Sequence, residues 1–193
     1  MDLAGQLRIQ AHANRLANHR LLTAMAPLTH EQLHATRTSF FPTLIGTLNH
    51  ILAVDQYYVG ALAGKPELAE LAKHWERYVA ADELQPLGHA QRLSDQRLID
   101  YCAGLDAAGC ERRVEMPRRG GTVQRELAAH VLAHLFMHQT HHRGQVHAML
   151  SGTSVTPPQL DEFLMPSEAH LREADMAALG WKEREVFGAA ARP

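Results

Sequence analysis

Apolar residues recur at helical spacing in four long stretches of the chain, and four long helices are the first thing this pattern predicts. From Leu3 to Met25 the positions Leu7, Ala11, Leu16, Leu21 and Leu22 keep that spacing, and Pro27 ends the segment. Thr29 and Gln32 stand in the arrangement of a capping box, which predicts a short helical piece after the proline. A second long helix is expected from Ser39 or Thr43 to Leu62. Pro42 sits where a first-turn proline is tolerated, and Gly64 and Pro66 close the segment. One face of it reads Thr43, Thr47, His50, Val54, Tyr57, Ala61, so a lone histidine stands mid-helix on an otherwise apolar or small-residue row. Glu67 to Tyr78 reads as a short surface helix or ordered loop. A third long helix is expected from about Pro86 to Leu105, with Leu87, Leu93, Leu98 and Ile99 toward the core.

The period changes after Cys110. Alternation around Val114 and Met116, followed by Gly120-Gly121, predicts a small β-hairpin or extended excursion. Thr122 reads as the N-cap of a fourth long helix, Val123 to about Leu150, which Ser151-Gly152 stops. Pro157-Pro158 can open a short helix through Leu164, and another is expected near Ser167 to Leu179. The Ala-rich end, 180–193, reads as peripheral or frayed. Four long helices with no repeat and no break in composition predict one all-α domain over 1–193, a four-helix bundle. The order in which its helices run is not readable from periodicity.

Composition narrows the function classes. With 46% apolar and 21% charged residues and a net charge of −2, the chain reads as an ordinary globular protein with no electrostatic reason to bind nucleic acid or an anionic membrane. The basic pairs Arg112-Arg113 and Arg118-Arg119 flank an acidic Glu115 and read as a solvated hairpin. Two isolated cysteines, Cys102 and Cys110, do not make a disulfide scaffold and suggest a reducing compartment. No basic stretch followed by an apolar one opens the chain, and no apolar run reaches membrane-spanning length, so a cytoplasmic protein is expected.

Fourteen histidines are the compositional outlier. His130, His134, His138 and His142 fall four apart in the fourth helix, so they stand above one another on one face, with His141 adjacent. A stripe of imidazoles makes a poor core and a poor solvent face but a good place for a transition metal. Each of the pairs His130/His134, His134/His138 and His138/His142 can reach one ion, and His50 is the best candidate for a third ligand from a facing helix. Three histidines with an open fourth position form the arrangement of a catalytic zinc site. The segment His138-Gln-Thr-His-His142 lacks the glutamate of H-E-x-x-H, so a metalloprotease is not expected. A di-iron bundle needs Glu-x-x-His on two helices and two more glutamates, and the chain offers one such triplet, Glu31 to His34, on a short segment, with only Glu-x-x-x-His at Glu126 to His130, so it is not expected.

The run Leu127 to Leu150, with its core H-Q-T-H-H-R-G-Q, closely resembles the signature helix of the DinB/YfiT-like family, the damage-inducible DinB proteins. Thr47-Leu-Asn-His50-Ile-Leu resembles that family's Asn-His-Ile motif on the second helix. The stretches Pro117 to Thr122 and Pro158-Gln-Leu-Asp161 are also similar to family features. The resemblance covers most of the chain. It implies a four-helix bundle of up-down-down-up topology and a divalent metal bound by His50, His138 and His142. His134, Arg143, Gln145 and Asp161 are then candidates for the supporting layer, with Arg143 paired to a carboxylate such as Asp161. Gln145, Asp55 and Asp161 are candidate acceptors for ligand ring N–H groups. Gly144, inside the helix, is expected to mark close packing.

By the same resemblance the chain is a metal-dependent enzyme, a thiol-dependent transferase or isomerase in the manner of relatives that use mycothiol or bacillithiol, or one that activates water. The metal is zinc or nickel foremost, with iron or manganese as alternatives. The expected partners are a small-molecule substrate, a low-molecular-weight thiol, and a second copy of the chain in a homodimer. The alternative is a non-catalytic metal-binding stress-response protein, and an open rather than closed site separates the two.

Overall fold

The computed structural model describes residues 2–65, 67, 78–161 and 165–188. Asp2 caps α1 (Leu3–Met25), its side chain accepting from the Gly5 N–H at 2.7 Å. The buried positions Ala4, Leu7, Ala11, Asn14, Asn18, Leu21 and Met25 alternate three and four apart, one continuous seam along the helix. The expected capping box is present at Thr29 and Gln32 and opens α2 (His30–His34), which Leu33 pins to the core. Thr43 rather than Ser39 caps α3 (Leu44–Leu62), and Gly46 leaves room for the Thr43 hydroxyl that its N–H donates to at 3.0 Å. Nearly every residue of α3 is buried.

The expected helix or loop from Glu67 to Tyr78 lies, apart from its two ends, outside the described residues. The third long helix, α4 (Leu84–Ala103), begins two residues earlier than expected. Leu87, Leu98 and Ile99 are buried, but Leu93 is 47% exposed, a correction to the expected core. The inward face of α4 runs Leu87, Gln91, Ser94, Asp95, Leu98 and Cys102, and Leu93 falls off that stripe.

Asp106 caps the short α5 (Ala107–Glu111), and a hairpin follows: β1 (Arg113–Pro117) pairs antiparallel with β2 (Val123–Leu127), from Arg113 opposite Leu127 to Pro117 opposite Val123. Val114 and Met116 point inward as the alternation requires. Gly120 and Gly121 both have φ of 78°, so the turn needs residues without a Cβ. The fourth helix therefore does not start at Val123 under a Thr122 cap. Residues 123–127 are spent on the second strand, where Arg125 pairs with Glu115 across the ladder, and α6 (Ala128–Leu150) begins after it. Pro157-Pro158 open no helix, and the last three residues expected in that helix lie outside the described residues. A 3₁₀ stretch, Pro166–Arg172, leads into α7 (Glu173–Leu179) and α8 (Glu183–Val186).

The start of the expected frayed end is docked. Trp181 meets the His12 ring edge-on at 5.0 Å, and Trp181 and Phe187 pack near Leu16 and Ala17. Buried Arg172 pairs with Glu183 and lies over the Phe187 ring at 4.7 Å. The two aromatic rings supply the apolar area that an Ala-rich reading overlooked.

Around the bundle the order is α1, α4, α3, α6, each packed on its neighbours. Arg8 of α1 reaches the Leu105 carbonyl while Asn18 reaches Asp95, so α1 and α4 run antiparallel. His50 meets His142 while Tyr58 meets His134, so α3 and α6 also run antiparallel. Two apolar clusters fill the interior, one around Leu7, Val59, Leu98 and Leu132 and one around Met25, Ile51, Leu87 and Leu150. Cys102 and Cys110 are buried free thiols in the first. Among the described residues no helix is long and apolar enough to cross a membrane.

Candidate metal centre

Between the two apolar clusters the facing sides of α3 and α6 turn polar. His50, mid-way along α3, and His138 and His142, one turn apart on α6, point their rings at one another. The His50 Nε2 lies 3.0 Å from the His138 Nε2 and 3.2 Å from the His142 Nε2. His50 and His142 are only 7% and 8% exposed, and His138 is half-buried. Burial pushes the imidazolium forms down: His50 to about 4, with His142 adding to the shift, and His138 to about 3, with the neighbouring histidines adding. His142 is lowered too, by burial first. All three rings are therefore neutral at pH 7 and carry a lone pair.

The orientation of one ring is fixed by its neighbour. The His142 Nδ1–H donates to the Gln145 Oε1 at 2.7 Å, which leaves the His142 Nε2 as a bare acceptor. The His50 Nε2 can hold at most one proton, so it cannot donate to both partners. The two short contacts therefore cannot both be hydrogen bonds of the histidines' own protons, and a cation bound by the three nitrogens removes that conflict. Tetrahedral zinc with Zn–N near 2.0–2.1 Å needs ligand nitrogens roughly 3.3–3.4 Å apart. The observed spacing is within a few tenths of an ångström of that, so the donor set fits a transition metal. Phe41 stacks on His50 at 4.2 Å, inclined by 27°, and approaches His142 at 5.8 Å, covering one flank.

The other histidines of the ladder do not join the cluster. His134 is exposed, meets the Tyr58 ring edge-on at 5.2 Å and stands 6.4 Å from the His138 ring. His130 and His141 are exposed, and the Gln145 amide that accepts from His142 donates to His141 at 3.3 Å. Asp161 is exposed and accepts from Gln159, so it supports neither the triad nor Arg143. Gly144 faces open space, where a Cβ would meet nothing within 4 Å, so it marks no close packing.

Arg143 instead points inward. It donates to the side-chain oxygens of Asn14 and Asn18. Asn18 also donates to the Asp95 Oδ1 at 2.9 Å, and Gln91 bridges Asp95 and Asp55 at 3.0 and 2.7 Å. Gln139, between two triad histidines in sequence, donates to the Asp55 Oδ1 at 2.9 Å. Burial drives Asp55 up to about 7 and Asp95 up to about 6, against their hydrogen bonds and the Arg143 charge. The layer joins all four long helices directly beside the triad. Sequence reasoning singled out Asp55 only as an acceptor for a ligand histidine, and missed Asn14, Asn18, Gln91, Asp95 and Gln139. Their signal was available: Asn14/Asn18, Gln91/Asp95 and Gln139/Arg143 are three polar pairs, each four apart, on inward helix faces.

The chain matches the model of the DinB family over residues 10–176. It is also similar to Protein DinB of Bacillus subtilis (strain 168), at 23% identity over 139 residues, 71% of this chain and 80% of that protein.

Proposed function

The chain belongs to the DinB family, and from that premise we propose that His50, His138 and His142 hold one divalent transition metal, zinc or nickel foremost, at the centre of an enzyme site. The convergence of three neutral Nε2 atoms in one half-buried cluster carries this reading. Three imidazoles are the ligand number of sites that keep a position for substrate. A divalent ion there would supply Lewis acidity, lowering the pKa of a water or small thiol that shares the site.

The residues of the chain do the rest. Burial keeps the three imidazoles unprotonated. Gln145 holds His142 in the ligating tautomer. Phe41 shields one side of His50 from water. The Asp55–Gln139 contact fixes α3 against α6, so the two helices present their nitrogens in register. The reaction proposed from the family resemblance is transfer or isomerisation through a low-molecular-weight thiol, with water as the other nucleophile.

Metal content by mass spectrometry on untagged protein tests the site. About one ion per chain is expected in wild type, lost in each of His50→Ala, His138→Ala and His142→Ala and kept in His130→Ala and His141→Ala. A wild type that neither carries metal nor takes up added zinc or nickel overturns the reading. Metal without turnover across thiol and electrophile pairs, in a site with no exchangeable water, would leave a non-catalytic metal-binding protein.

A further inference from the structure

A second set of imidazoles lies away from the triad. His30 and His34 stand four apart on α2, their rings stacked at 4.1 Å and inclined by 28°. Facing them is the chain that leads into α4. The Asp82 Oδ1 lies 3.5 Å from the His34 Nε2, and the Asp82 carbonyl oxygen lies 3.0 Å from the same nitrogen. The Glu83 Oε1 lies 2.8 Å from the His30 Nδ1. One donor atom from each of His30, His34 and Asp82 falls within 4.8 Å of the other two.

We propose that His30, His34 and Asp82 form a second transition-metal site, which clips α2 to the entry of α4. The donor set is right for it. Two imidazoles with a carboxylate suit zinc, copper or nickel, and Glu83 on the His30 Nδ1 would support His30 as a ligand through its Nε2.

Both halves are also held in place by contacts that use none of the three ligands. On one side the capping box sets the start of α2, Leu33 anchors it, and Arg37 closes its end by donating to the Gln32 and Ala35 carbonyls, each at 2.8 Å. On the other, the Asn49 side chain accepts from the Ala80 N–H at 2.7 Å and donates to the Ala81 carbonyl at 2.8 Å, fixing the two residues before Asp82. A site whose ligands are already positioned loses little entropy on taking its ion. Asn49 also precedes His50, so the clip is tied to the stretch of α3 that carries one histidine of the triad.

The test uses zinc ion alone as the probe. Zinc is titrated into wild type, His30→Ala, Asp82→Asn and His138→Ala, reading bound zinc per chain by equilibrium dialysis and the histidine side-chain ¹⁵N resonances. Wild type is expected to bind a second, weaker ion that shifts His30 and His34. His30→Ala abolishes that event, and Asp82→Asn weakens it by more than about tenfold. His138→Ala leaves the His30 and His34 shifts intact. His30 and Asp82 are largely exposed, so their variants keep the fold, which circular dichroism checks for these and for His138→Ala. His30 and His34 resonances unmoved by excess zinc, or a second ion retained in His30→Ala, overturn the proposal. In protein first stripped of metal the two sites fail separately: shifts at His30 and His34 with none at the triad sink the triad reading and keep this one, and the converse does the reverse.

Discussion

Arg143→Met removes the guanidinium that ties Asn14 and Asn18 into the polar layer at nearly constant side-chain volume, while Arg15, 3.7 Å from Asp95, stays. Arg143 is 8% exposed and donates to both Asn14 and Asn18, so its loss leaves two buried amide oxygens short of a donor. It also removes a positive charge that favours ionisation of Asp55 and Asp95. Hydrogen bonds from a charged group are worth about 1.5–3 kcal/mol, and breaking one side of a buried ionic set costs about 3–5 kcal/mol. The same range, 3–5 kcal/mol, is expected here, a large share of a domain's stability.

The cost must depend on pH, and its sign follows from the carboxyls. In the folded protein Asp55 and Asp95 sit at about 7 and about 6, above the ordinary 3.8. A raised carboxyl favours the folded state at low pH, and that contribution is lost as pH rises through the folded value. Without Arg143 both values rise further, so the loss extends to higher pH. Urea unfolding of wild type and Arg143→Met at pH 5.5 and pH 8 is the assay, and the gap between them should be wider at pH 8. A single-mutant cost below about 1 kcal/mol, or one equal at both pH values, would refute the account of the layer.

Two further outcomes follow from the triad. Gln145→Ala should weaken zinc binding by about 10–100-fold while leaving urea stability of the metal-free protein nearly unchanged, and competition with a chromophoric chelator measures it; an unaltered affinity would show that Gln145 does not orient His142. In the metal-free protein the stabilising contribution of His50 and His138 should fall as pH drops from about 6.5 toward 4, against the opposite drift of Asp55 and Asp95. His50 and His138 are depressed to about 4 and about 3, so their contribution is present above the ordinary value of 6.5 and lost as pH falls through the folded values. His138→Gln should gain stability relative to wild type as pH falls through that range in urea titrations, and a difference independent of pH would place the sensitivity elsewhere.

The long helices were legible because their buried seams repeat at three and four residues, a signal that survives without tertiary knowledge. The start of α6 was not. Val123 to Leu127 suits a helix or a strand by composition, and only the partner strand across Gly120-Gly121 decides it. His50 was visible as a misfit on an apolar row. Its convergence with His138 and His142 was chosen from several ladder pairs by family resemblance, since spacing alone allows any of them. Leu93 and Asp161 misled for the opposite reason: one is apolar yet lies off the buried stripe, the other is acidic yet beyond reach of Arg143. Asn14, Gln91 and Gln139 went unread because uncharged polar residues on a helix resemble a solvated face until the opposite helices are in place.

The Asp55–Gln139 contact has a bearing on how an ion is acquired. It joins α3 to α6 only a turn from the histidines and uses no atom of theirs, so the two helices keep their register whether the triad is loaded or empty. Small zinc domains fold only as they bind, and a chelator unfolds them. A bundle cross-braced in this way separates the two events. A chelator would strip it to a standing apoprotein, and the identity of the ion would then be set by exchange with whatever the surroundings hold, at any time in the life of the folded chain.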